Sequence, residues 1–170
     1  MMMRSTTTLI IAASLLALGA CAKKPPKELP PAPVEATGPV TTDPATGAVV
    51  SGSQEDFVAN VSSDRIFFDT DSAEVDAPDQ ATLQSQAAWL GKYAQKRITI
   101  EGHADERGTR EYNLALGERR ANATKNALVA LGVSTARITT VSYGKERPEA
   151  TGSDEDAYAK NRRAVTVTVQ

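Results

Sequence analysis

Cysteine is nearly absent from this chain: the 170 residues hold one, Cys21, so no intramolecular disulfide can form. Histidine is as scarce. His103 with Asp105 gives a His-x-Asp pair at the end of a β-branched run, but a zinc site needs a third protein ligand and an orienting outer shell, and none is identifiable. There is no GxSxG elbow to raise a nucleophilic serine. An excess of positive charge is also missing. Lys plus Arg number 19 against 21 Asp plus Glu, for a net charge of −2, and no basic stripe is interleaved with the few aromatics, which make up 5%. That balance removes the electrostatic term on which nucleic-acid binding leans. The one long apolar run, residues 9–18, is too short to span a bilayer comfortably.

What is present changes character along the chain. Residues 1–20 carry a single charge, Arg4, then the apolar run, then the small residues Gly19 and Ala20 before Cys21. This is the pattern of a secretory signal peptide. Its end, Leu18-Gly19-Ala20-Cys21, resembles the bacterial lipoprotein box, in which cleavage precedes the cysteine and lipid is attached to it. Ala22 rather than an acid follows, which resembles lipoproteins sorted to the outer membrane. Several acyl chains (palmitate among them) on Cys21 would anchor the chain without spanning, since each buried methylene contributes about 0.8 kcal/mol. Residues 21–54 then hold seven of the nine prolines and no apolar periodicity. Such a segment buries too little to offset its ordering entropy and reads as a disordered or polyproline-like linker.

Residues 55–170 have the size and apolar content of one domain. Strands are expected at 65–69, 97–103, 138–143 and 164–169, the last in the alternation AVTVTV. Phe67 and Phe68 must point to opposite faces. Pro78 suits the first turn of a helix capped by Asp76 or Ala77, which buries Leu83, Ala87, Leu90 and Ala94 with Trp89 and Tyr93 at the edge. A second helix over 111–131 buries Leu114, Gly117, Ala121, Leu128 and Leu131, and Gly132 ends it. A short helix near 156–160 precedes the last strand. The class is α+β: a two-layer α/β sandwich with a mixed sheet of about four strands and helices on one face.

The stretch that organises the domain is residues 98–123. It places Asp105 in a loop bracketed by Gly102 and Gly108, ahead of a helix on which Asn113 and Arg120 share a face. Arg119 points about 100° away by the helix period. Arg120 is expected to reach back over the Asp105 loop. Two outcomes are open: Asp105 and Arg120 pair with each other to fix the loop, or the carboxylate takes an ammonium and the guanidinium grips a carboxylate, so that the notch holds a zwitterion. Asp69, Asp71, His103, Asp105 and Glu106 offer acid–base groups, but His103 reads best as a hydrogen-bonded structural residue at a strand end.

The string EGHADERGTREYNLALGERRANA, with IFFDTDS before it and VSYGKERP and KNRRAV after it, resembles the peptidoglycan-associated lipoproteins, a family with OmpA-like C-terminal domains. The resemblance covers about residues 57–170. It implies a non-enzymatic, cofactor-free domain, lipid-anchored in the outer membrane and facing the periplasm, that binds the stem peptide of peptidoglycan. Asp105 would accept the ammonium of diaminopimelate and Arg120 would hold its carboxylate. Thr70, Asp71, Ala104 and Asn113 stand where neighbouring contacts are expected, with Asp69 ranked below them. TolB and other Tol proteins of the Tol-Pal system are the implied partners, in envelope integrity and cell division. Asp105→Ala and Arg120→Ala are each expected to abolish most wall binding with the domain still folded. The competing readings are a wall-processing hydrolase or amidase using His103, and a scaffold or adhesin that binds protein only.

Overall fold

The computed structural model describes residues 49–169. The signal segment 1–20, the lipidation site Cys21 and the linker through residue 48 lie outside the described residues. Four strands form one mixed sheet, in the order β1-β4-β2-β3. These are β1 (Arg65–Phe67), β2 (Arg97–His103), β3 (Ile138–Gly144) and β4 (Arg163–Val169). β2 pairs with β3 in parallel, and β4 pairs antiparallel with both β1 and β2. The parallel pair requires a crossover, and the 21-residue helix α3 (Arg110–Ala130) supplies it.

Local chemistry sets most of the boundaries. Helix α2 (Ala77–Lys92) has Asp76 as its N-cap, its carboxylate accepting from Asp79 N at 2.8 Å, and proline in its first turn. The Thr109 side chain caps α3 by accepting from Tyr112 N. Asp154 caps α4 (Glu155–Asn161) by accepting from Ala157 N at 2.8 Å. The alternation of β4 is borne out, with Ala164 and Thr166 buried. Phe68, the first residue past β1, enters the core and Phe67 remains 45% exposed, so the alternation of the strand carries one residue beyond its end.

Several elements differ from expectation. Helix α1 (Gln54–Asn60) has no counterpart in the sequence reading; it is seven residues long and buries a single side chain, Phe57, edge-on against Trp89 with ring centroids 5.0 Å apart. Its apolar residues, Phe57, Val58 and Ala59, are consecutive and only Phe57 is buried, so they give no helical period. β1 ends at Phe67 rather than 69: Phe68 N still donates to Arg162 O, just ahead of β4, and the chain then leaves the sheet for the loop. Ala94 lies past the end of α2 and is exposed, and Trp89 is core rather than edge. Leu131 caps α3 and is 41% exposed. The buried stripe of α3 is instead partly polar: Asn113, Leu116, Gly117, Arg120, Ala121, Thr124 and Leu128.

The approach of α3 to the sheet fixes the site. A Cβ on Gly102 of β2 would sit 1.8 Å from Gly117 O, and one on Gly117 would sit 2.4 Å from Ser142 Oγ. Two glycines therefore let helix and strand backbones touch, and this contact sets the depth at which the first turns of α3 meet the end of β2.

Candidate functional site

Three pieces converge at the end of the sheet: loop 68–76 after β1, loop 104–109 after β2, and the first turns of α3. They enclose a cavity of about 280 Å³ lined by Thr70, Asp71, Asp105, Arg107, Tyr112 and Asn113 among others. Four of the expected site residues, Thr70, Asp71, Asp105 and Asn113, thus come together. Ala104 is buried, its amide donating to Gly144 O at 2.8 Å, and does not line the cavity. Asp69 faces a separate cleft of about 430 Å³ with Phe67, Glu74 and Asp79.

The loop is built from its own side chains. Asp105 Oδ1 accepts from Arg107 N at 3.1 Å, an Asx-type turn, and Asn113 Nδ2 donates to Arg107 O at 2.7 Å. Lys145 donates to Glu106 O at 3.0 Å and Gly108 O at 2.7 Å, tying the outer edge of the loop to the segment after β3. The Glu106 carboxylate accepts from Ser153 Oγ and Tyr158 OH. Asp71 has a left-handed φ of 54° and accepts from Tyr112 OH at 3.2 Å across the cavity.

Asp105 is 8% exposed and is held by an arginine that sequence reasoning did not single out. Arg107 forks it, with Nε 3.0 Å from Oδ1 and Nη2 2.6 Å from Oδ2. Arg162 Nη1 lies 3.6 Å from Oδ2 on the inner side. Burial alone would raise the carboxyl, but the Arg107 hydrogen bonds and charge, with Arg162 adding, hold it below the usual carboxylate range. Asp105 is therefore an anion at neutral pH.

Arg120 does reach back over the loops, but to their backbone. It is fully buried, and donates from Nε to Ser72 O at 2.8 Å, from Nη1 to His103 O at 2.8 Å and from Nη2 to Asp69 O at 3.0 Å. Its guanidinium lies 5.2 Å from the Phe68 ring. Burial first, then the charge of Arg162, lowers its pKa to about 10, which still leaves it a cation at neutral pH. The Asp105–Arg120 ion pair left open by the sequence is not formed; the partner of Asp105 is Arg107. Arg119 is exposed and sits 5.8 Å from the Tyr112 ring, so the two adjacent arginines have separate surroundings.

His103 is buried beside Tyr143, at 5.6 Å between centroids. Neither ring nitrogen has a hydrogen-bond partner among the described residues, in contrast to the bonded imidazole expected. Burial, with the charge of Arg163, lowers its pKa to about 4, so it is neutral, and it does not line the cavity.

This architecture has known counterparts. The profile of the OmpA family matches residues 67–162. The chain belongs to the OmpA family. The peptidoglycan-associated lipoprotein of Rhizobium meliloti is 57% identical over 152 residues, spanning 89% of this chain and 81% of that protein. The crystal structure of the peptidoglycan-associated lipoprotein from Burkholderia pseudomallei superposes with a TM-score of 0.62 at 45% identity, over 69% of this chain and 98% of that one. The C-terminal domain of Helicobacter pylori MotB shares the OmpA-family fold alone, with a TM-score of 0.59 at 20% identity over 63% of this chain and 84% of that one. The mixed four-stranded sheet with its helices is thus the family fold, as the resemblance implied. Arg107 and Arg162 were missed, yet both lie in stretches that carried the resemblance. The signal for Arg107 was its place two residues after a loop aspartate, the spacing of an Asx turn.

Proposed function

We propose that this chain is an outer-membrane lipoprotein, lipidated on Cys21, whose domain faces the periplasm and binds peptidoglycan non-covalently through the diaminopimelate of the stem peptide. The observation that carries the reading is the ionised Asp105 carboxylate on the wall of a cavity with two further polar loops around it. An anion at that place takes the ammonium. Arg120, fully buried, gives three hydrogen bonds to loop carbonyls, so it braces the loops and supplies positive charge beneath the site that favours the ligand carboxylate. Thr70, Asp71 and Asn113 complete the surroundings, while Ala104 and the Asp69 carbonyl serve the loops that shape the cavity. The names of its OmpA-family relatives support peptidoglycan as the ligand.

Charge-assisted hydrogen bonds net about 1.5–3 kcal/mol each, and association consumes several kcal/mol, so one domain holds one stem peptide modestly. Many anchored copies facing a polymer of repeated stems gain by effective concentration, with the linker setting the reach. In the Tol-Pal system TolB is the protein partner, on a surface overlapping the cavity, which makes the tether switchable and suits it to envelope integrity and cell division. Binding of TolB and a wall fragment together, with neither affinity reduced, would remove the switch.

The test of the site is co-sedimentation with purified peptidoglycan. The wild-type chain pellets with the wall and releases no soluble muropeptide, while Asp105→Ala loses at least about tenfold in binding and remains folded by circular dichroism, with a melting temperature lowered by the loss of its turn and ion-pair contacts. Undiminished pelleting by Asp105→Ala would overturn the assignment, and released muropeptides would replace binding with hydrolysis.

A further inference from the structure

Acidic residues are unevenly spread over the domain. Residues 80–100, 119–145 and 164–169 contain none, so the body of α2, the second half of α3, β3 and nearly all of β4 carry no carboxylate side chain. The turn from α2 into β2 is where this leaves cations unopposed. Lys92, Lys96 and Arg97 gather there around a cleft that Val169 also lines. None of the three is in an ion pair among the described residues. Of the acids nearby, Asp56 is committed to Gly52 N at 2.9 Å and Trp89 Nε1 at 3.1 Å, which leaves Glu55 on the adjoining cleft beside Lys96. Apolar surface borders the cations. Val49, Val50 and Val169 are 54%, 72% and 43% exposed, and Val50 shares a cleft with Lys96 and Thr168.

The strand β2 sets this patch apart from the cavity. Arg97 opens the strand and His103 closes it just ahead of Asp105, so six steps of about 3.3 Å put the two ends about 20 Å apart. The chain that leads from Cys21 joins the domain at the Arg97 end, where Gln54 Oε1 accepts from Thr168 N at 2.7 Å and Thr168 pairs with Ile98. Entry point, unopposed cations and exposed valines thus coincide at one end, and the cavity opens at the other.

We propose that the Arg97 end is a docking surface for an anionic phospholipid bilayer, with Lys92, Lys96 and Arg97 on headgroup phosphates and Val49, Val50 and Val169 pressed against the interface. The inference rests on the reading that Cys21 is lipidated. An acyl anchor brings this end of the domain, and not the cavity, to the membrane. Effective concentration then lets three cations hold the surface although each contributes little. Docked in this way the domain carries its cavity about 20 Å further from the bilayer than the patch, and pointing away from it.

The experiment is flotation of the chain from residue 21, the mature form under that reading, with Cys21→Ser so that no acyl chain holds it. The vesicles are phosphatidylcholine alone and phosphatidylcholine mixed with phosphatidylglycerol. The chain is expected to float with the anionic vesicles only, and less as salt is raised. Replacing Lys92, Lys96 and Arg97 together with glutamine should weaken that binding about tenfold or more. Replacing Lys23, Lys24 and Lys27 removes the same charge from the segment beside the anchor and should weaken it less. Arg97→Glu alone should act in the same direction, and it carries the test should the triple variant fail to fold. An equal or larger loss from the Lys23, Lys24 and Lys27 variant overturns the docking, as do equal flotation with neutral vesicles and no flotation with either. Peptidoglycan pelleting by the Lys92, Lys96 and Arg97 variant should match wild type, because its cavity is untouched; a parallel loss of wall and vesicle binding would overturn a separate docking end. Failure of the anchor reading shows apart from all of these, as a Cys21-bearing chain that takes up no labelled palmitate in cells. That result would overturn the docking too, since nothing would then bring this end to a membrane.

Discussion

Replacing Arg120 with alanine should be a folding mutation before it is a binding mutation. The side chain is fully buried and its three hydrogen bonds hold carbonyls of Asp69, Ser72 and His103, two from the loop after β1 and one from the end of β2. Each charge-assisted bond nets about 1.5–3 kcal/mol, and the cost of burying the cation, visible in a pKa lowered to about 10, offsets part of the sum. Alanine leaves three carbonyls unpaired and a cavity in place of the guanidinium, for a net loss of about 3–5 kcal/mol. At about 2.1 cal/mol/K of unfolding entropy per residue, a domain of roughly 120 residues loses about 4 °C per kcal/mol, so the melting temperature should fall by about 12–20 °C. Thermal melting by circular dichroism reads this directly, with Arg119→Ala as the exposed control that should shift little. A melting temperature for Arg120→Ala within 3 °C of wild type, on the order of 1 kcal/mol, would refute the clamp. The sequence alone leads to the expectation that the domain stays folded without Arg120; its complete burial argues for a costly removal instead.

Two further outcomes follow from the buried groups. His103 has a folded pKa of about 4, below its unfolded 6.5, so the unfolded chain binds the extra proton and stability falls as pH drops from about 6.5 toward 4. His103→Phe keeps a ring against Tyr143 and cannot charge, and its unfolding free energy from urea titration should gain on wild type by up to about 2–3 kcal/mol between pH 7 and pH 4.5; parallel pH profiles would refute the depressed value. Gly102→Ala drives a methyl into Gly117 O, so it should cost about 3 kcal/mol or more, or leave the chain insoluble, and a wild-type melt would show that α3 does not approach β2 as closely as described.

Much of the fold was legible because its signals are local. The alternation in β4, the β-branched start of β2 and the Asp76-Ala77-Pro78 cap each follow from residues within one turn or one strand. The site was legible in membership more than in wiring. Gathering Thr70, Asp71, Asp105 and Asn113 needed only the loop and helix order. Knowing that Arg120 serves backbone while Arg107 serves Asp105 needed the positions of carbonyls 48 to 51 residues away in sequence. Gly117 in the middle of a helix was a readable sign of close approach, and placing it in an apolar stripe hid the polar half of that face. Arg162 and Arg163 are adjacent and both buried, which no charge pattern reveals, because each is covered by loops that arrive from other parts of the chain.

The position of β4 has a consequence for how such a chain comes into being. It is the last strand to be made, yet it lies between β1 and β2, and both of its neighbours depend on it for pairing. A chain emerging amino end first from a ribosome or a translocation channel therefore cannot zip this sheet strand by strand. Until residue 163 and its successors are released, β1 has no partner and β2 has only β3, and the closing event joins segments about a hundred residues apart. Helix α3 with β2 and β3 can assemble first, but joining β1 to that unit waits for β4, which makes completion of the sheet a single late step.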